Sequence, residues 1–313
     1  MADFGAGLDG PLAAVRAIHF AATAMLAGVL LFRAAVIDPA SPAASSVLAG
    51  IRARMVRMAW GCLMIAAATG VLWLLLVATS ISGLPLTADI FSSVIEDTRF
   101  GTVASLRCGM AAALAMALAS DRFAPARALG LGMGLGLTTS IAWTGHAGST
   151  GGALGSLQLI ADACHLVAAA VWLGGLVALV LLLQGTRREP TGVAFNCAHQ
   201  ATRRFAAIGL ITVVVLLFTG LANAWILVGS WHALVASTYG RLLLLKAALL
   251  TATLAVAAVN RWVVTPRLRR STGDQPGFEL LRQLKRNSQA EIGLLSMVYA
   301  VVGVLGTIAP ALQ

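Results

Sequence analysis

Two histidines stand in a stretch whose neighbouring residue types give them chemistry to do. From Trp143 to Leu176 the chain reads W-T-G-H-A-G-S-T-G-G-A-L-G-S-L-Q-L-I-A-D-A-C-H-L-V-A-A-A-V-W-L-G-G-L. A Gly- and Ser-rich turn carries His146, and an apolar helical pattern then carries Asp162, Cys164 and His165. Gln158, Asp162, His165, Ala169 and Trp172 recur at intervals of three and four, so a helix places them on one stripe. A carboxylate one turn from an imidazole can bond one ring nitrogen and leave the other for a metal ion. The spacing therefore predicts an Asp162–His165 pair. Inside a bilayer such a pair is costly unless it faces other helices, which makes it a functional candidate. The same two residues also read as a mutually satisfied tie between helices.

The donors within reach decide the metal. Cys164 adjoins His165, and Met25, Met64, Met110 and Met133 lie in apolar runs. Imidazole with soft sulfur selects copper, Cu(I) above Cu(II), and disfavours magnesium or calcium. Methionine is also the usual filler of irregular cores, so its nine occurrences carry little weight by themselves. Met25, Cys164 and His232 are accordingly weaker candidates than His146, His165 and His19.

The scaffold that must position these groups is apolar almost throughout. Of 313 residues, 59% are hydrophobic and 11% charged, with a mean hydropathy of +0.88. That composition predicts an all-α, polytopic membrane bundle forming a single domain over residues 1–313. Eight apolar runs are expected to cross the bilayer: 12–36, 56–79, 100–119, 127–144, 157–183, 204–228, 239–263 and 290–310. Residues 88–97 read as a short interfacial helix, and the tight link at 120–126 as a hairpin turn. Asp3 and Asp9 precede the first run without a basic residue, so it reads as a retained span, not a cleaved signal.

Basic residues fix the expected orientation. Arg33, Arg52, Arg54 and Arg57 follow the first run, Arg122 and Arg127 the third, and Arg187, Arg188, Arg203 and Arg204 the fifth. Arg261, Arg267, Arg269, Arg270, Arg282, Lys285 and Arg286 follow the seventh. All fall on one side, which puts both termini in the periplasm and accounts for the net charge of +10. Nucleic acid is not needed to explain that charge, and lipid is the implied surrounding. No G-x-x-x-x-G-K-[ST] loop occurs, which argues against nucleotide-driven pumping, and nothing points to an enzyme. The four cysteines show no C-x-x-C spacing.

On this topology His146, His165, His19 and His232 gather toward the outer face, with His165 and His19 each about two turns inside. Arg107, Asn223, Arg241 and Lys246 are the other polar groups within runs, and Asp162 is a candidate partner for Lys246. Arg241 is close enough to an end to snorkel, and Arg16 reads as structural.

The pieces T-G-H-A, D-A-C-H-L-V-A-A-A-V-W-L-G-G-L, R-F-A-A-I-G-L, T-G-L-A-N-A-W, Y-G-R-L-L-L-L-K and N-R-W-V-V-T-P-R-L occur in that order. Together they resemble the CopD family of bacterial copper-resistance inner-membrane proteins, over residues 143–310. The resemblance implies an inner-membrane protein that moves copper from periplasm to cytoplasm beside a small periplasmic copper-binding protein, CopC. It places family positions on His146, His165, Trp172, Asn223, Tyr239, Arg241, Lys246 and Asn260. His19 enters through its depth alone. A different class remains open: a b-type haem or quinone redox protein, with His19 and His165 as facing axial ligands. A third is a membrane factor that only docks a periplasmic copper protein.

Overall fold

The computed structural model describes residues 9–38, 46–82, 87–144, 152–188, 192–271 and 275–308, and every regular element among them is helical. The long helices are α1 (Asp9–Phe32), α2 (Ser46–Ser82), α4 (Arg99–Ala119), α6 (Gly152–Arg188), α7 (Gly192–Val228), α9 (Thr238–Val259) and α11 (Gln275–Leu305). Each contributes a span long and apolar enough to cross a membrane, seven among the described residues. The all-α polytopic bundle expected from composition is therefore what forms.

The fourth expected run behaves differently. Residues 127–144 fall in α5 (Ala124–Thr139), only 16 residues of α-helix, continued by a 3-10 turn at Ser140–Thr144. The cause is local. Arg107 donates to the Leu137 carbonyl at 2.8 Å and to Ser140 Oγ at 2.5 Å, drawing a carbonyl out of the helical ladder. Because a 3-10 turn rises about 2.0 Å per residue against about 1.5 Å, the joined segment still reaches roughly 34 Å. That matches a hydrocarbon core of about 30 Å.

Short helices precede two of the long ones, α4 and α9. The interfacial segment is α3 (Ala88–Asp97), capped by the Thr87 hydroxyl on Ile90 N–H. Its counterpart α8 (Trp231–Ala236) is capped by Ser230 on Ala233 N–H. Gly229, at φ +68°, makes the left-handed turn between α7 and α8, a conformation that favours glycine. A π-helical turn at Asn260–Val264 joins α9 to α10 (Thr265–Arg269).

Helices α1 and α6 are the centre of the bundle. Their spans are the most buried of the set, and they pack on each other, with α2 against α1, α7 against α6, and α5 and α11 along both. The contact closes at Gly28 and Gly174: a methyl group on Gly174 would stand 2.6 Å from the Gly28 Cα, and one on Gly28 would meet the Ala170 carbonyl. Lipid gives no hydrophobic reward for helix association, so backbones this close supply the van der Waals contact that holds the pair. In α5, Gly130 faces Leu114 and Ala117, and Gly134 faces Ala27 and Leu30. The C-terminal end of α1 is tied by Arg33 to Asp121 at 2.6 Å, and Arg52 bonds Asp38 at 3.1 Å.

Gly28→Leu should force α1 and α6 apart and cost about 1–3 kcal/mol or more. Gly61→Ala, with nothing within 4 Å of the added carbon, should unfold like the parent. Thermal unfolding in detergent, followed by size-exclusion profile, compares the two.

Candidate metal site

His165 is held from the neighbouring helix. Its Nδ1 lies 2.9 Å from the Thr219 hydroxyl on α7. Thr219 has one proton, and it points to the Val215 carbonyl at 2.6 Å. The hydroxyl oxygen must therefore accept from Nδ1–H, which fixes the tautomer and leaves the Nε2 lone pair available. No described residue bonds that nitrogen. Gly220 follows Thr219 and brings the α7 backbone against the imidazole edge, 3.4 Å from Cε1 to a built Cβ.

Asp162 does not pair with His165. Its Oδ1 accepts from Asn223 Nδ2 at 2.8 Å. The expected carboxylate–histidine bond is thus replaced by two parallel ones. Antiparallel packing of α6 on α7 sets Asp162 and His165, three apart, opposite Asn223 and Thr219, four apart. Each polar group finds its partner across the interface and not along its own helix. The Asn223 Oδ1 is buried and accepts no hydrogen bond among the described residues. Lys246 of α9 acts electrostatically on both Asp162 and His165, and Tyr239 at the start of α9 lies in the field of Asp162. The suggested Asp162–Lys246 association is present as a field effect, without an ion pair inside 4 Å among the described residues.

His19 is in a different position. Thr69 gives its proton to the Ile65 carbonyl at 2.6 Å and so accepts from His19 Nδ1–H at 3.0 Å. Nε2 accepts from the Arg107 guanidinium at 2.5 Å. Both ring nitrogens are committed, and the side chain is buried. His146 lies outside the described residues. His232 is exposed on α8, and Cys164 is exposed on the outer side of α6, turned away from the buried stripe. Met25 packs into the core around α1. Arg241 bonds the Val235 carbonyl at 3.1 Å near the helix end, and Arg16 lies over the rings of Phe20 and Trp73. No cluster of three or more His, Cys, Asp or Glu side chains occurs among the described residues.

About two turns further along the α6 stripe is a second polar group that sequence reasoning missed. Glu291 on α11, 2% exposed, accepts from Trp172 Nε1 at 3.3 Å and Asn260 Nδ2 at 2.7 Å. Asn287 Nδ2 donates to the Asn260 carbonyl oxygen at 2.8 Å. The signal was its place as the single acidic residue in the apolar part of α11.

Comparison with known proteins gives this arrangement a family. The profile described as "Copper resistance protein D" matches residues 199–305, and that described as "Copper resistance protein D-like, N-terminal domain" matches residues 7–156. The chain belongs to the CopD family. The likeness reaches well ahead of residue 143, where the sequence motifs placed its beginning. Copper resistance protein D of Pseudomonas syringae pv. tomato is 29% identical over 175 residues, 56% of each chain. Copper transport protein CutJ of Bacillus subtilis (strain 168) is 33% identical over 161 residues, 51% of this chain and 27% of that one. Inner membrane protein YebZ of Escherichia coli (strain K12) is 30% identical over 171 residues, 54% of this chain and 55% of that one. The chain thus matches little more than half the length of the first and third relatives and about a quarter of the second. No solved structure matches it. The protein is a multi-pass inner-membrane member of a copper-related family.

Of the positions that the CopD motifs suggested, Asn223 bonds Asp162, Tyr239 and Lys246 interact with it electrostatically, and Trp172 and Asn260 hold Glu291. Glu291→Leu removes the acceptor of two buried donors and should cost about 1–3 kcal/mol for each. Glu291→Gln keeps one acceptor and should cost about half as much. Detergent thermal unfolding, with the Trp172 emission as a local probe, orders the three proteins.

Proposed function

We propose that this CopD-family protein carries copper, as Cu(I), from the periplasm to the cytoplasm through the polar group around His165, with both termini in the periplasm. One observation carries the reading: an imidazole inside the membrane whose Nδ1–H is anchored and whose Nε2 is unengaged. A neutral imidazole nitrogen is a good ligand for a soft monovalent ion. Asp162 supplies the compensating negative charge, Asn223 orients it, and the open Asn223 Oδ1 faces a group in need of a positive partner. His146, six residues ahead of that helix in the sequence, is the entry ligand, and a CopC-like periplasmic protein is the donor. Lys246 competes with the ion for Asp162 and keeps the pair neutral when the site is empty.

Entry needs no nucleotide. An inside-negative potential favours a monovalent cation by about 2.3 kcal/mol per 100 mV. The haem alternative is not supported, because Arg107 already occupies the second nitrogen of His19. Relatives named for copper resistance and copper transport support the copper reading over the redox one.

His165→Ala should abolish Cu(I) binding in chelator competition and lower copper accumulation in cells, with the detergent-purified protein still folded. Thr219→Val frees the imidazole to rotate and change tautomer; it and Asp162→Asn should each weaken binding by about 10- to 100-fold. Normal accumulation by folded His165→Ala would remove this group from the pathway. In proteoliposomes, copper influx that ignores an imposed potential would remove the driving force named here.

A further inference from the structure

The His19 and His165 groups are the same construction made twice. Each begins with a histidine followed nine residues later by the glycine of the α1–α6 contact, Gly28 and Gly174. Each histidine gives Nδ1–H to the threonine of a Thr-Gly pair on the next long helix, Thr69-Gly70 and Thr219-Gly220, and each glycine lies against Cε1 of its ring. The residue three before the histidine meets the residue four after the threonine: Arg16 lies over Trp73, and Asp162 bonds Asn223.

The third element repeats as well. An aromatic-glycine pair, Phe100-Gly101 and Tyr239-Gly240, follows a capping hydroxyl, Thr98 and Ser237, that accepts from the glycine N–H at 3.0 and 2.9 Å. A short interfacial helix precedes both, and a β-carbon on either glycine would strike it, at Val94 or Leu234. Seven residues after each aromatic comes a cation, Arg107 and Lys246, that bears on its own half's histidine. The α1–α2–α4 and α6–α7–α9 sets are thus two parallel copies meeting at Gly28 and Gly174.

The copies differ where an ion would bind. In the second, a bonded carboxylate–amide pair, Asp162 and Asn223, lies one helical turn from the histidine, whose Nε2 is open. In the first, Arg16 and Trp73 replace them, so no negative charge faces His19, and the Arg107 guanidinium is bonded to Nε2 itself. Placing an arginine at this depth costs about 2.5–3.5 kcal/mol on insertion scales. Its three acceptors (His19 Nε2, the Leu137 carbonyl and Ser140 Oγ) each return about 1.5–3 kcal/mol. The arginine is therefore a stable resident. A cavity of about 250 Å³ adjoins it, lined by His19, Gly70, Phe100, Arg107 and Cys108.

We propose that the first half is a closed cation site in which Arg107 stands permanently where the second half admits a monovalent metal ion, so that each chain takes one ion and not two. This rests on the reading of His165 given above. The switch is chemical: a five-donor guanidinium reaches Nε2 and caps it, whereas the lysine ammonium at the equivalent place leaves it open.

The test is Cu(I) stoichiometry by competition with a chromogenic chelator, on detergent-purified protein checked for a monodisperse profile. Wild type should bind one ion and His165→Ala none. Arg107→Met, which puts a thioether beside His19 Nε2 and Cys108, should bind two, and adding His19→Ala should return it to one. The mirror change needs no disturbance of the first half. Lys246→Arg should close the second site and weaken binding by about 10-fold or more, equal to about 1.4 kcal/mol, as expected for a charge-assisted hydrogen bond. Lys246→Met should keep the single ion. A wild type that binds no Cu(I) overturns the transport reading and this inference with it. One ion in wild type, with unchanged affinity in Lys246→Arg and no second ion in folded Arg107→Met, overturns this inference alone. If Arg107→Met does not fold, the two Lys246 variants decide.

Discussion

A histidine inside a bilayer has to commit one ring nitrogen to the protein before it can offer the other to anything else. An unpartnered N–H there costs several kcal/mol, since no water can take its place. The threonine hydroxyls of α2 and α7 meet that need in a way that also decides the tautomer. Each passes its own proton to a carbonyl four residues back, Ile65 or Val215, and so can only accept. The bond from Nδ1–H orients the ring, leaves the lone pair on Nε2, and requires the two helices to stay in register. The glycine after each threonine lets the helix come close enough to make it. Packing at Gly28 and Gly174 then fixes where the two imidazole-bearing helices lie relative to each other.

Much of this was legible in the residues. The all-α class followed from composition, because a chain this apolar can satisfy its backbone in lipid only as helices or a closed barrel. Runs of about 20 apolar residues set the spans, and the stripe of Asp162, His165 and Trp172 proved to be the polar side of α6. What failed was the partner of each group. Periodicity places residues on a face of one helix but says nothing about which residue of the next helix lies opposite. Asp162 was therefore assigned to His165, its nearest neighbour on the stripe, while the structure gives it to Asn223. Arg107 was visible as an intramembrane charge, yet its bond to His19 joins residues 88 apart, beyond what spacing can supply. The 3-10 end of α5 was missed for the same reason, since the arginine bonded there belongs to another helix.

The duplication was also present in the spacings, as a histidine nine before a glycine, a Thr-Gly pair, and an aromatic-glycine pair seven before a cation. None is informative alone in a chain with 32 glycines. They gain meaning once three of them meet at one imidazole, twice. Physical equivalence is then a stronger guide than sequence likeness, because the exchanged residues (Asp162 for Arg16, Asn223 for Trp73) are those that carry charge and hydrogen-bonding capacity.

That exchange makes the two halves electrostatically unlike while leaving their shape alike. Around His19 both flanking ionisable groups are cationic, Arg16 and Arg107; around His165 one is a carboxylate and the other an ammonium. A cation entering the first half would meet two like charges in a low-dielectric surrounding, where repulsion is far larger than in water. One entering the second would exchange places with the ammonium beside a carboxylate, at nearly constant local charge. From there, about 10 Å along α6, Trp172 on the same stripe donates to the next negative group, the Glu291 carboxylate of α11, which Asn260 also bonds. In the first half, α1 beyond Asp9, α2, α4 and α5 carry no acidic residue to play that part. On the proposed reading, acidic groups that could pass a positive ion along therefore lie on one side of the Gly28–Gly174 contact and have no counterpart on the other.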